Sequence, residues 1–293
     1  MKHKWLIPWF FLAPALGTLL LFFFLPVLAS LLMSFSDFDI YALGNLSRAR
    51  WNGLENYGRL LHDPLFWKAL GNTVYFVLAG GPLTILAALL AAIGLNSRQL
   101  RLRDWFRLGY FTPVITSLVA VAVVWRYLYH PRFGLFNYLL SFAGVGPVNW
   151  LGDPVWAMPA LILLAVWKNF GYYMMIFLAG LQTIPDYLYE AARLDGAGWW
   201  GQFRHVTLPQ LAPTTFFVTL MTIIGYFQFF AEPYVMTQGG PVNSTLSVVF
   251  YLYQQGFRWW RMGYASSIAF MLFFIIFLLA MLQMAARRRQ EAA

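Results

Sequence analysis

From Trp5 to Phe35 the chain runs 31 residues without one charged side chain, and nothing else in it constrains the fold so tightly. A helix needs about 20 apolar residues to cross the hydrocarbon of a bilayer, so a run of about 18 or more reads as a span. The stretch follows "MKHK", as a secretion signal would. It is much longer than the roughly 7–15 residues of a signal's apolar region and is read as a retained helix. With lipid as solvent, every backbone polar group needs an internal partner, which leaves helices or closed barrels. Apolar residues come here in blocks, not in alternation, so helices are expected.

Six spans follow from the apolar blocks, at Ile7–Ser34, Ala69–Leu95, Leu108–Tyr129, Pro154–Ile184, Gln210–Met236 and Met262–Ala285. Only 11% of the 293 residues are charged, against roughly a quarter in soluble domains. The expected fold class is all-α, a polytopic membrane protein of six transmembrane helices. An even number of spans puts both termini on one side. If that side is cytoplasmic, the inner segments hold 11 Lys or Arg in 51 residues and the outer segments 7 in 83. Because Lys and Arg are retained on the cytoplasmic side, the chain is read as N-in and C-in. The same distribution explains the net charge of +9 as span-end base, and no nucleic-acid partner is expected.

The outer loops carry signals of order. In "DPLFWKAL" and "NWLGDPVWAMP" an aspartate, Asp63 or Asp153, precedes a proline, Pro64 or Pro154. That is the pattern of an N-cap followed by proline at the first helical position. Trp150, Trp156, Trp259 and Trp260 lie at span ends, where amphipathic rings favour the headgroup region.

The chemistry that is missing narrows the function. There is no cysteine, hence no thiolate chemistry or Cys-based metal site. No phosphate-binding G-x-x-x-x-G-K-[ST], no H-E-x-x-H and no G-x-S-x-G occurs. His3, His62, His130 and His205 form no metal-ligand spacing. A multispanning chain of this kind moves a solute or anchors something that does, and is not itself an enzyme.

Charges and amides inside the spans are candidates for a pathway. Lys168 lies deep in the fourth span, and Glu232 near the outer end of the fifth is the one acid in a span. Such residues face a bundle interior or a wet cavity. Two roles are open for Lys168, a substrate pathway or a structural bond to backbone carbonyls. A direct pair with Glu232 requires a broken helix, because their depths differ by about 15 Å at 1.5 Å per residue. Arg126 is read as a rim charge. The fourth span also carries "WKNFGYYMM" and the fifth "GYFQFFAEPY". Their Asn169, Tyr172, Tyr173, Tyr226, Gln228 and Phe229 either bond neighbouring helices or line a pocket in which aromatic faces meet sugar C–H surfaces and amides meet hydroxyls. Gly171 and Gly225 thin the helices beside them, which permits close packing or a cavity.

Between these spans stands "DYLYEAARLDGAGWWGQFRHVTLP", Asp186 to Pro209. Asp186 and Glu190 favour a helix N-terminus, and Glu190 and Arg193 have the i, i+3 spacing of an ion pair. Leu188, Ala191, Ala192 and Asp195 share one side. Gly196 and Gly198 end the helix, and Trp199, Trp200, Phe203 and Val206 recur at helical spacing in a second. The result is a cytoplasmic helix–turn–helix with a small-residue face suited to docking.

The spacing of Glu190-Ala191-Ala192, Gly196, Val206 and Leu208-Pro209 resembles the EAA loop of permease subunits of ATP-binding-cassette importers. "FVLAGGPLTILAALLAAIGLN", "YFTPVITSLVAVAVVWRYLYHPRFGLFNYLL", "FQFFAEPYVMTQGGPVNST" and "MGYASSIAFMLF" are similar to carbohydrate importer permeases. The likeness is to the larger maltose-permease type without its large extracellular insertion. It implies a type I importer fold in a prokaryotic inner membrane, as one permease domain over 1–293 with its core at 69–285 and its coupling loop at 186–209. It further implies a heterodimer with a second permease, two cytoplasmic ATPase subunits that bind ATP and Mg, and an extracytoplasmic sugar-binding protein; no cofactor is expected on this chain. The loop residues Glu190, Ala191, Ala192, Asp195, Gly196, Ala197, Leu208 and Pro209 become the ATPase-coupling set, with Glu190 as the acid contacting the ATPase and Gly196 as the hinge. The resemblance places sugar contacts on the two spans flanking the loop, at Tyr172, Tyr173, Tyr226 and Phe229; Asn169 and Gln228 are added on chemical grounds. Aromatics stand where the relative has asparagines. A polyol or glycerol phosphate is an alternative solute, and an ATP-independent transporter or a membrane anchor an alternative class. A secondary transporter should show inverted repeats and buried coupling carboxylates; neither is evident, with only Glu232 in a span.

Overall fold

The computed structural model of the protein describes residues 6–41, 50–97 and 101–292. Lys2, Lys4, Arg48 and Arg98, counted above among the basic residues, lie outside these, as does the Arg289 side chain. Secondary structure among the described residues is helical, apart from one isolated bridge between Ser36 and Trp51.

Four helices are long and apolar enough to span a membrane: Phe11–Ser34, Pro64–Asn96, Pro154–Gln182 and Met262–Arg288. Two bent pairs bring the number to six if each is one span, as the apolar blocks predict. The first bent pair joins Arg103–Ile115 to Leu118–Leu128 at 100°, the second Trp199–Gln210 to Ala212–Phe227 at 65°. The third span is therefore broken within its length, and the fifth bends where it begins. In order, the helices are α1 (Leu6–Leu19) and α2 (Leu25–Ser34), joined by a π-helical turn at Leu20–Phe24, then α3 (Glu55–Leu61) and α4 (Pro64–Asn96). After them come α5 (Arg103–Ile115), α6 (Leu118–Leu128), α7 (Leu135–Phe142), α8 (Pro154–Gln182), α9 (Asp186–Leu194) and α10 (Trp199–Gln202). The last are α11 (Leu208–Gln210), α12 (Ala212–Phe227), α13 (Val248–Tyr253) and α14 (Met262–Ala292).

Both expected N-caps are present. The Leu65 N–H donates to Asp63 Oδ1 at 2.9 Å and the Val155 N–H to Asp153 Oδ1 at 2.8 Å, and α4 and α8 begin at the following prolines.

The chain packs as two compact units. One comprises the N-terminal part to Trp67 with Tyr251–Ile275. Within it the Tyr251 and Tyr264 hydroxyls donate to Asp63 Oδ2 at 2.5 and 2.6 Å, and Gln255 Nε2 donates to the Tyr251 hydroxyl at 2.7 Å. Burial pushes the Asp63 carboxyl up, but the two tyrosine hydroxyls and the Leu65 and Phe66 N–H groups outweigh it and hold the group below its ordinary value of 3.8.

The second unit comprises Lys68–Phe250 with Ile276–Ala293. Its apolar core joins Ala88, Ala92 and Leu95 of α4 to Met174, Phe177, Leu178 and Leu181 of α8, with Leu211 and Val218. Two alanines one turn apart on α4 let α8 approach closely. Leu188, Tyr189 and Val206 of the loop pack against this core, so the loop is anchored to it rather than suspended from it.

Candidate functional site

The broken third span is built around Lys168. Its ammonium donates to the carbonyls of Pro113 at 2.5 Å and Val114 at 3.1 Å. These lie in the last turn of α5, where carbonyls lack intrahelical partners and the helix end is partly negative. Thr116 Oγ1 adds a bond to the Pro113 carbonyl at 2.6 Å. Of the two roles open for Lys168, the structural one is formed. One turn further along α8, a Cβ on Gly171 would fall 1.9 Å from the Tyr110 carbonyl oxygen. Gly171 is thus a backbone-to-backbone crossing of α5 and α8, whereas Gly225 has nothing within 4 Å of an added Cβ and borders open space.

That space is a cavity of about 330 Å³. Of the sequence-proposed pocket residues, Asn169, Tyr173, Tyr226, Gln228 and Phe229 line it together. Tyr172 is not in the lining and is 41% exposed, because adjacent helical residues point about 100° apart at 3.6 residues per turn. Phe229 stacks on Phe76 with ring centres 3.9 Å apart at 4°, and Tyr226 tilts against Phe76 at 5.0 Å. The Tyr226 hydroxyl meets Thr84 Oγ1 at 2.5 Å. A Cβ on Gly80 would lie 2.8 Å from the Tyr226 ring, so α4 supplies the slot that holds this tyrosine upright.

The fifth span stops being helical at Gln228–Phe230 and resumes as a short helix with a π-turn at Pro233–Thr237. Ser247 Oγ donates to the Phe229 carbonyl at 2.9 Å, and Asn72 Nδ2 donates to the carbonyls of Asn243 at 2.7 Å and Leu246 at 3.0 Å. These bonds satisfy an irregular backbone that lipid would not tolerate. The break brings Glu232, 5% exposed, into the cavity lining. Glu232 and Phe76 are not among the pocket residues expected from the sequence. Glu232 was detectable as the one acid in a span, while Phe76 gave no signal beyond apolarity.

The loop between α8 and α12 forms as expected. α9 ends in a glycine cap: the Ala197 N–H bonds the Ala192 carbonyl at 2.9 Å and the Gly196 N–H the Arg193 carbonyl at 3.0 Å. Gly196 sits at φ +80°, with nothing within 4 Å of an added Cβ. Glycine is required there by backbone conformation, not by space. The chain then continues through α10, a π-helical turn at Phe203–Thr207 and α11, which carries Leu208 and Pro209. It turns by 65° only before α12. Tyr189 Oη meets Thr207 Oγ1 at 3.1 Å and ties the two helices together.

No residue of α9 is buried. Glu190, Ala191, Asp195 and Gly196 are exposed, Ala192 and Ala197 half-buried, and Leu194 at the tip is 90% exposed. Glu190 and Arg193 do not form the ion pair their spacing allows, whereas Arg107 and Asp104 pair at 3.6 Å at the same i, i+3 spacing. An acid, small side chains and a bare leucine are thus presented on one rigid element.

The pattern of the family described as "Binding-protein-dependent transport system inner membrane component" matches residues 67–291. The lactose transport system permease protein LacF of Rhizobium radiobacter is 37% identical over 287 residues, 97% of this chain and 94% of that protein. The arabinooligosaccharides transport system permease protein AraP of Bacillus subtilis is 36% identical over 279 residues, 94% and 87% of the two chains. In fold, the chain is similar to a solved bacterial ABC transporter involved in the import of the acidic polysaccharide alginate. That likeness has a TM-score of 0.78 at 23% identity and covers 98% of this chain and 96% of the other. With the family pattern across most of its length and such relatives along nearly all of it, the chain belongs to the inner-membrane components of binding-protein-dependent transport systems.

Proposed function

We propose that this chain is one membrane-spanning half of an ATP-binding-cassette importer that moves a sugar delivered by an extracytoplasmic binding protein. Relatives named for lactose and arabinooligosaccharide transport support the solute class. The anchored yet exposed α9, with its glycine-capped end, supports the coupling role and is the observation that carries the reading. Glu190 and the small residues beside it engage an ATPase subunit, Gly196 sets the angle between the loop helices, and Leu208-Pro209 leads the motion into α12. The chain is N-in and C-in in a prokaryotic inner membrane and pairs with a second, non-identical permease. ATP and Mg are bound by the two ATPase subunits, and no catalysis is assigned to this chain.

Transport follows by alternating access. ATP closes the ATPase pair, the loops move as rigid bodies, and the cavity opens outward to accept the sugar; hydrolysis returns it. Driving a two-state equilibrium from 1:99 to 99:1 takes about 5.5 kcal/mol of differential binding, which nucleotide on a partner supplies. Glu190→Ala and a bulky replacement of Gly196 test the coupling. The expected result is loss of transport with weakened ATPase association. Unchanged transport and association in both variants would refute the coupling role.

A further inference from the structure

The cavity holds a carboxylate that no established site uses. Glu232 is 5% exposed and lines the cavity, and its carboxylate accepts no hydrogen bond from another described residue. The carboxylate takes its own backbone N–H and keeps further acceptor capacity open to the cavity it lines. Lys168 attracts it electrostatically, but the Lys168 ammonium is committed to the Pro113 and Val114 carbonyls.

A second feature opens into the same cavity. The break at Thr116–Ser117 leaves α6 starting at Leu118, which lines the cavity, and Ser117 gives the helix no side-chain cap. The first N–H groups of a helix have no intrahelical acceptors. In a membrane such groups persist only where they meet protein or a wet cavity. The lining thus sets the Glu232 carboxyl on one element and the uncapped start of α6 on another, with the apolar faces of Tyr226 and Phe229 beside polar groups. A hydroxyl both donates and accepts, and a ring of hydroxyls with C–H faces fits all three. A carboxylate or phosphate would enter a lining that has no lysine or arginine to balance its charge.

We infer that Glu232, with the uncapped start of α6, is a hydroxyl-recognition subsite that selects uncharged sugars over acidic ones. The inference rests on the sugar-importer reading and names its substrate class. It also opposes the glycerol phosphate alternative.

The test uses the complete importer, with partner permease, ATPases and binding protein, in proteoliposomes. The probes are labelled neutral mono- and disaccharides, the uronate counterpart of each, and the monodeoxy series of whichever neutral sugar is taken up best. Wild type should take up the uronate at least tenfold more slowly and one deoxy analogue about tenfold more slowly. Glu232→Leu should slow the parent sugar about tenfold and no longer distinguish it from that analogue. Glu232→Gln, isosteric and retaining an acceptor oxygen, should fall between and raise the uronate-to-parent ratio about tenfold. A deoxy profile in Glu232→Leu identical to wild type overturns the subsite. So does a uronate ratio that Glu232→Gln leaves unchanged, which assigns discrimination to the binding protein, or loss of complex assembly in both variants, which makes Glu232 structural. If the assembled wild-type importer hydrolyses ATP but takes up no sugar, the importer reading for sugars fails instead.

Discussion

Replacing Gly171 by alanine should separate two helices that touch backbone to backbone. The added Cβ would lie 1.9 Å from the Tyr110 oxygen and 2.8 Å from its carbonyl carbon. A carbon–oxygen contact needs about 3.3 Å, so α5 and α8 must part by about 1.4 Å at that point, and neither backbone can rotate away. Overpacking of this kind costs about 1–3 kcal/mol. Lys168 lies three residues before Gly171, and the same displacement stretches its 3.1 Å bond to Val114 beyond hydrogen-bond range, about 3.5 Å. A lost bond to a charged donor adds about 1.5–3 kcal/mol, for a total near 4 kcal/mol. At about 2–4 °C per kcal/mol, the melting temperature of the purified protein should fall by about 10 °C. Gly225→Ala is the control: nothing lies within 4 Å of its Cβ, and the melt should move by less than about 2 °C. Equal stability of both variants, or a larger loss from Gly225→Ala, would refute the assignment of Gly171 to the helix crossing and Gly225 to the cavity.

Further outcomes are expected elsewhere. Lys168→Met removes both bonds to the end of α5; Pro113 keeps the Thr116 hydroxyl, Val114 is orphaned, and thermal melts should record a loss of about 1–3 kcal/mol. Gly196→Val places a branched residue at φ +80°, costing about 1–2 kcal/mol in the loop, so ATPase co-purification should weaken. Gly196→Asn, which tolerates that conformation, should co-purify nearly as wild type. The lowered Asp63 carboxyl contributes stability that is fully present above its unfolded value of 3.8 and is lost as pH falls through its folded value. Melting-temperature differences between wild type and Asp63→Asn should therefore be largest above about pH 4 and vanish in stronger acid.

Much of the fold was legible because membrane spans and caps are local. Apolar blocks gave the number of spans, and Asp63 and Asp153 with their following prolines marked two helix starts to the residue. The α9 segment was readable for the same reason, since its cap needs only Gly196 and the carbonyls just before it. The breaks in the third and fifth spans were not legible. Pro113 stands inside α5 without ending it, and the carbonyls freed at the break are satisfied by Lys168, 55 residues away. Likewise the irregular Gln228–Phe230 segment relies on Ser247, a partner that no local window contains. The pocket was half-legible on the same logic. Amides and aromatics in mid-span announced themselves, but Glu232 enters the lining only because the helix breaks beside it, and Tyr172 leaves it through simple helical geometry.

The role proposed for this chain is to carry sugar across the membrane on the power of a partner's ATP. Uptake of labelled neutral sugars into proteoliposomes holding the complete importer measures it directly. Uptake should require both ATP on the α9 side and the binding protein on the other, and should be lost in Glu190→Ala. Uptake that persists without ATP, or that follows an ion gradient in its place, would contradict it.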